Sequence, residues 1–345
     1  MTWRTVGTVT MTDGIRLALA GDTMLGRGVA DALSIEPPEA LFSEEVVETL
    51  RGVDLFVLNL ECCVSDRGER WPDPRKPFFF RAPPAAVDVL RHLGVDCVTL
   101  ANNHALDYGR VALLDTLDLL SAAGVETVGA GPDLERARRP VILERNGFRL
   151  LIVGLTDHPV EYRADVGVPG VAYADLRSGV PDWVFESMSE GDADAILVTP
   201  HWGPNMTRRP VPHVVRAAAA LVERGATLVA GHSAHVFHGV SAQVLYDMGD
   251  FIDDYAVDRR LRNDLGVVFL VDLTPSGPIR IEAVPLALDF CHTRLARGEE
   301  TQWISQRFVS ACAELGTRVQ TVDGRLVIEG PLNEMASSDR RVHSP

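Results

Sequence analysis

Residues 102–109, Asn102-Asn103-His104-Ala105-Leu106-Asp107-Tyr108-Gly109, follow directly on the apolar run 95–100 (VDCVTL), and this junction decides how the chain is read. The run has the length and composition of a buried strand, and the polar residues begin where it ends. A carboxylate three residues after a histidine can reach the ring N–H if the segment turns helically, so His104 and Asp107 form a candidate pair. Such a pair fixes the imidazole tautomer and raises its basicity.

The same pattern recurs outward along the chain. The run 15–20 (IRLALA) ends at Gly21-Asp22, 54–60 (DLFVLNL) at Glu61, 195–199 (AILVT) at His201, and 226–230 (ATLVA) at Gly231-His232, with His235 close behind. Helical patterns at 26–33, 85–93, 110–123, 212–224 and 300–315 separate the runs. Residues 141–155 read as a hairpin turning at Asn146-Gly147, 317–329 as a smaller one at Asp323-Gly324, and 236–290 as mostly short strands. This alternation predicts one α/β domain over residues 1–332, with the polar stretch 333–345 expected to be disordered. Ligands bind beyond the carboxyl ends of strands in α/β sheets, so Asp22, Glu61, Asn103, His104, His201, His232 and His235 are expected to share one site.

The chain has 345 residues, and its 33 Lys+Arg against 48 Asp+Glu give a formal net charge of −15. That sign argues against a general nucleic-acid binder. No apolar stretch is long enough to span a bilayer, and residues 1–14 carry no apolar signal core, so the expected compartment is the cytoplasm, with no membrane partner. The five cysteines do not read as a disulfide framework; Cys62 and Cys63 point to opposite faces of an extended backbone and are read as packing residues. Nothing in the sequence fixes the oligomeric state.

The motifs GDTMLGR (21–27), NLE (59–61), NNHALDYG (102–109), HWG (201–203), GHSAH (231–235) and MGDF (248–251) resemble, in this order, the bacterial capsule-synthesis family, CapA or poly-γ-glutamate synthesis, of the calcineurin-like metallo-dependent phosphatase superfamily. The resemblance implies a four-layer α/β/β/α sandwich with a metal site at the strand ends. It puts Asp22 at the first metal aspartate, Glu61 at the bridging carboxylate, Asn103 at the metal-binding asparagine and His104 at the catalytic histidine. His201, His232 and His235 fall at the later histidine positions, of which His232 is assigned to the metal. Three departures stand out. Met24 occupies the place of a histidine ligand, Ser233-Ala234 replace His-Pro, and Asp250 replaces an asparagine.

Among soluble relatives the sequence looks most like peptide epimerases of ribosomal, lasso-type peptide pathways. That implies removal of a Cα proton on one face and its return on the other, which needs two acid/base groups. His104 with Asp107 is one pair; His235 or His232 with Asp250 is the other, and His201 is counted with the acid/base groups. A metal-dependent phosphoesterase and a non-catalytic capsule-assembly protein are the alternatives. The expected cofactor is a divalent metal ion. Ca²⁺ is favoured, with Mg²⁺ or Mn²⁺ behind it, if Asp22, Glu61, Asn103 and water dominate; Mn, Fe or Zn if histidines ligate. The expected partner is a peptide, docked by basic residues from Lys76, Arg81 (both in RKPFFFRAPP, 75–84) and Arg208. The excess negative charge argues against a strongly anionic polymer as substrate.

Overall fold

Successive residues of a strand point to opposite faces, so a strand apolar on both faces needs a packed layer on each side. In Ile15–Thr23, Ile15, Leu17 and Leu19 enter one core while Ala18 and Ala20 enter another. In Phe148–Thr156, Phe148, Leu150 and Ile152 join the core of Leu17, while Leu151, Val153 and Leu155 enter a third. Three cores require four layers. The structure, a computed structural model describing residues 14–329, has them: two sheets packed face to face with helices on both outer faces, an α/β/β/α sandwich.

The first sheet has ten strands, running Gln320–Val322, Arg325–Glu329, Gly277–Asp289, Leu265–Thr274, Ile15–Thr23, Leu55–Leu60, Cys97–Thr99 and Glu126–Val128 along its main path. From Ile15–Thr23 to Glu126–Val128 the neighbours are parallel, and on the other side they are antiparallel. The short strand Asp250–Ile252 pairs with the end of Ile15–Thr23, setting Asp250 in register with Asp22. The second, six-stranded sheet has Phe148–Thr156, Ala195–His201, Leu228–Ala230 and Val244–Leu245 parallel at its centre.

Helices Glu44–Arg51, Ala86–Leu93 and Gly109–Ala122 cover the first sheet through Val46, Leu90 and Leu113. Helices Asp182–Met188 and Pro212–Glu223 cover the second through Val184 and Leu221. The helix Glu299–Glu314 packs Ile304, Phe308 and Cys312 into the core between the sheets.

One expected region differs. Within 236–290 the strands up to Ile252 are short, but Leu265–Thr274 and Gly277–Asp289 are long and pair along most of their length. Val267, Phe269 and Val271 face the inter-sheet core while Val268 and Leu270 face the helices, so the run shows no polar alternation by which its length could be read. The expected disordered stretch 333–345 lies outside the described residues. Among the described residues no helix is long and apolar enough to cross a membrane.

Phe269 is fully buried and touches the Phe308 ring at 6.0 Å between centroids. Phe269→Ala is therefore expected to lower unfolding free energy by about 3–5 kcal/mol, read by chemical denaturation. A loss under about 1 kcal/mol would show that the inter-sheet core does not depend on this contact.

Candidate metal centre

Parallel strands end on one edge, and the two sheets bring such edges together. The Ile15–Thr23 strand carries Asp22 between Asn59 and Asp250 on its neighbours. The approach of the 249–252 segment is unusually close: the Asp22 N–H donates to Gly249 O at 2.9 Å, and a Cβ on Gly21 would lie 1.9 Å from that same oxygen. Only glycine at position 21 leaves room for it. From the second sheet, His201 ends its strand and is bridged in parallel to His232. The following turn bends sharply, with positive φ at Ser233 (124°) and His235 (59°), and swings His235 over to the carboxylates of the first sheet.

Two groups of ligand atoms result, each mutually within 4.8 Å. One is Asp22, His201 and His232; the other is Asp22, Glu61, His235 and Asp250. Asp22 belongs to both. All six residues are buried. Asp22 Oδ2, Glu61 Oε1, Asp250 Oδ2, Asn103 Oδ1 and His201 Nε2 are buried polar atoms without a hydrogen-bond partner. Glu61 Oε1 and His201 Nε2 lie 3.9 Å apart, a span that two ligands about 2.0–2.2 Å from one ion can reach. Orphaned acceptors converging in this way are costly unless a cation meets them. The residues present therefore fit a divalent metal.

The electrostatics agree. Burial, then the charges of Asp22 and Asp250, push Glu61 well above the usual carboxyl range. Burial also drives Asp250 up strongly. Burial opposes the charge on Asp22, but contact with His235 outweighs it and holds that carboxyl below its usual range. Burial lowers His201 far below the imidazole range and His232 to about 4, so both rings are neutral at pH 7, the form that can ligate a metal. His235 is the exception: burial lowers it, but the surrounding carboxyls of Asp250, Glu61 and Asp22 carry it well above its ordinary value. Three buried carboxyls face one favoured imidazolium, and the centre is short of positive charge.

The structure places the expected residues as follows. His104 Nδ1 meets Asp107 Oδ2 at 2.6 Å, and its ring stacks on Phe80 at 3.9 Å. His235 Nδ1 meets Asp250 Oδ1 at 2.8 Å, while His232 faces His201 instead. His201, counted above with the acid/base groups, lies in a ligand group, because its strand end points it at Asp22 and Glu61. Asp250 therefore belongs both to an expected histidine–carboxylate pair and to one of the ligand groups. Met24 itself is buried, with its sulfur accepting from the Gly26 N–H.

The expected docking residues are elsewhere engaged. Lys76 is only 14% exposed at its side chain and binds Asp107 Oδ1 at 3.0 Å and Asn103 O at 2.7 Å. Its ammonium thereby compensates the fully buried Asp107. Arg81 lies on the Tyr108 ring at 4.1 Å and donates to the carbonyls of Arg67 and Gly68, closing the 65–82 loop. Arg208 lines a surface hollow that contains none of the centre's residues. Cys62 and Cys63 are buried, and burial pushes the Cys63 thiol up to about 12, which makes it unreactive.

Several supporting residues were not legible in the sequence. Asn59 Nδ2 donates to Asp22 Oδ1 at 2.7 Å, and Asn102 Nδ2 donates to Asn59 Oδ1 at 2.9 Å, a chain that orients Asp22. Tyr162 donates to Asp107 Oδ1 at 3.0 Å from a loop 55 residues away. Asp247 accepts from the N–H groups of Ala234 and Gly249 at 2.8 and 2.9 Å, pinning the His235 turn. His213 Nε2 and the Gly203 N–H both bond Asp157 Oδ2, whose other oxygen holds His158 beside the His201 ring. The sequence signals nearest to these were Asn59 in NLE and Asn102 in NNHALDYG; Tyr162, Asp247, Asp157 and His213 carry none.

Sandwich and centre together define an α/β/β/α protein with a buried carboxylate–histidine cluster that fits a metal ion. Residues 16–255 match the model of the family described as bacterial capsule synthesis protein PGA_cap, and the chain belongs to that family. It is 28% identical to a probable polyglutamine synthesis accessory protein of Mycobacterium tuberculosis, over 95% of this chain and 99% of the relative. It is 27% identical to the PGA biosynthesis protein CapA of Bacillus subtilis, over 79% of this chain and 72% of that one. Among solved structures it is similar to a 5′-nucleotidase precursor of Thermus thermophilus (14% identity, TM-score 0.41, covering 83% of this chain and 55% of that one).

Because Asp22 belongs to both ligand groups, Asp22→Asn is expected to abolish tight manganese binding, whereas Asp107→Asn should retain it, as measured by metal analysis after loading and dialysis. Chelation should also lower the melting temperature, since metal at a hundredfold its dissociation constant adds about 2.7 kcal/mol. Full metal content in Asp22→Asn would remove Asp22 from the centre.

Proposed function

We propose that this chain is a metal-dependent phosphoester-type hydrolase that serves the assembly of a polyglutamate-type polymer. The observation that carries the reading is the shared carboxylate: Asp22 joins two ligand groups, beside a histidine held for proton transfer. Membership of the capsule-synthesis family supports the polymer context. Bound metal at such a centre polarises a substrate oxygen and acidifies water.

The chain's own residues supply the rest. Asp107 holds the His104 proton at Nδ1, leaving Nε2 as the atom that can exchange a proton with substrate. Lys76, Tyr162 and the Phe80 N–H, the last at 2.6 Å, hold the Asp107 carboxyl in place. Phe80 holds the imidazole plane. Burial lowers His104 to about 4 even with Asp107 beside it, so the ring is neutral at pH 7 and acts first as an acceptor.

A second reading, a peptide epimerase, is favoured by one particular feature. His235–Asp250 at 2.8 Å gives a second histidine–carboxylate pair beside His104–Asp107 at 2.6 Å, and inversion at a Cα needs two such groups.

Turnover of an aryl phosphate by the manganese-loaded protein, falling about 10²–10⁴-fold in His104→Ala, is the expected result. No turnover, together with deuterium uptake at a peptide Cα in D₂O, would replace this reading with the epimerase.

A further inference from the structure

The segment 204–209 leaves the metal centre just after His201 and ends in Arg208-Arg209 on the surface. It is firmly held. Thr207 O bonds His238 Nε2 at 2.7 Å, the Met206 N–H donates to Ala234 O at 2.9 Å, and Ser233 Oγ bonds Gly203 O at 3.1 Å. Facing it, the helix Glu299–Glu314 presents Arg307, Ser310, Ala311 and Glu314. Between them lie two adjoining hollows of about 240 and 420 Å³, both lined by Arg208, Arg209, Ala311 and Glu314.

The charge there is not balanced. Arg209 pairs with Glu314 at 2.7 Å, but among the described residues neither Arg208 nor Arg307 has a carboxylate partner. Arg307 is partly buried between the Phe237 and Trp303 rings, at 5.3 and 5.9 Å. One of its Nη atoms donates to Phe237 O at 3.2 Å and Arg208 O at 3.5 Å, and its Nε is buried without a partner. Burial, then the nearby charge of Arg208, pulls Arg307 down to about 10. Three arginines, one of them half-buried, thus share the single carboxylate of Glu314, an excess of positive charge that is unusual in a chain of net charge −15. A planar guanidinium fork matches an oxyanion.

We propose that Arg208, Arg209 and Arg307 form an oxyanion-binding groove, separate from the metal centre, that takes a carboxylate or phosphate group of a bound molecule. Aromatic packing holds the Arg307 side chain, and the tied loop fixes the backbone that carries Arg208 and Arg209, before the anion arrives, which lowers the ordering cost of binding. Arg208 thus keeps a binding role, at a place that the strand-end cluster does not reach.

The test is calorimetric titration of the full chain with potassium phosphate and, separately, with an acidic glutamate tripeptide, each with and without manganese. At least one probe is expected to bind without manganese, to weaken with added salt, and to lose about tenfold or more in affinity in Arg307→Gln and Arg208→Gln. Tighter phosphate binding identifies a phosphate group as the occupant, and tighter tripeptide binding a carboxylate. Failure of both probes to bind, or binding that neither substitution changes, would overturn the proposal. Arg208 is exposed, so its variant decides should Arg307→Gln not fold. Binding is read apart from turnover, so a chain that hydrolyses no phosphoester still tests the groove.

Discussion

A carboxylate that cannot reach water must be compensated by its surroundings, and the buried Asp22 side chain imposes that constraint on this fold. One oxygen takes the Asn59 amide, which is itself oriented by Asn102; the other lies 3.2 Å from His235 Nδ1. Its backbone is sutured to Gly249, and so Asp250 arrives beside it. Each contact comes from a different strand end. The site exists because the parallel strands of two sheets terminate along edges that meet, and Asp22 stands where they do.

The second hub is Asp107. It is wholly buried, yet it stays useful because four groups share its charge: His104, Lys76, Tyr162 and the Phe80 N–H. Lys76 and Phe80 belong to the aromatic segment that reads from sequence as a docking loop. Their attachment to Asp107 turns that segment into the wall against which His104 stacks. The two hubs divide the labour. The Asp22 cluster leaves polar atoms open toward a cation, whereas the Asp107 cluster leaves almost none open and instead fixes one imidazole.

Much of this was legible because a buried strand and its polar terminus are both local signals. The apolar runs ending at Asp22, Glu61, Asn103, His201 and His232 needed no partner to be recognised, while the four layers were implied by the family resemblance of the motifs at their ends. The long pair Leu265–Thr274 and Gly277–Asp289 was not read at its true length, because burial on both faces erases alternation. The contacts of Lys76 with Asp107 and of Arg81 with Tyr108 were not legible, because a basic residue in an aromatic loop reads the same whether it faces solvent or a buried aspartate.

By itself, the sequence determined which residues stand at the strand ends and that their donors suit a divalent metal, since strand burial and side-chain chemistry are properties of short segments. Tertiary structure alone decided how those donors are grouped. That Asp22 is shared, that His201 sides with His232, that Asp250 joins Glu61, and that Tyr162 steadies Asp107 all depend on how two sheets lie against each other. Packing of layers far apart in the chain sets those relations, and no local pattern encodes the distance between them.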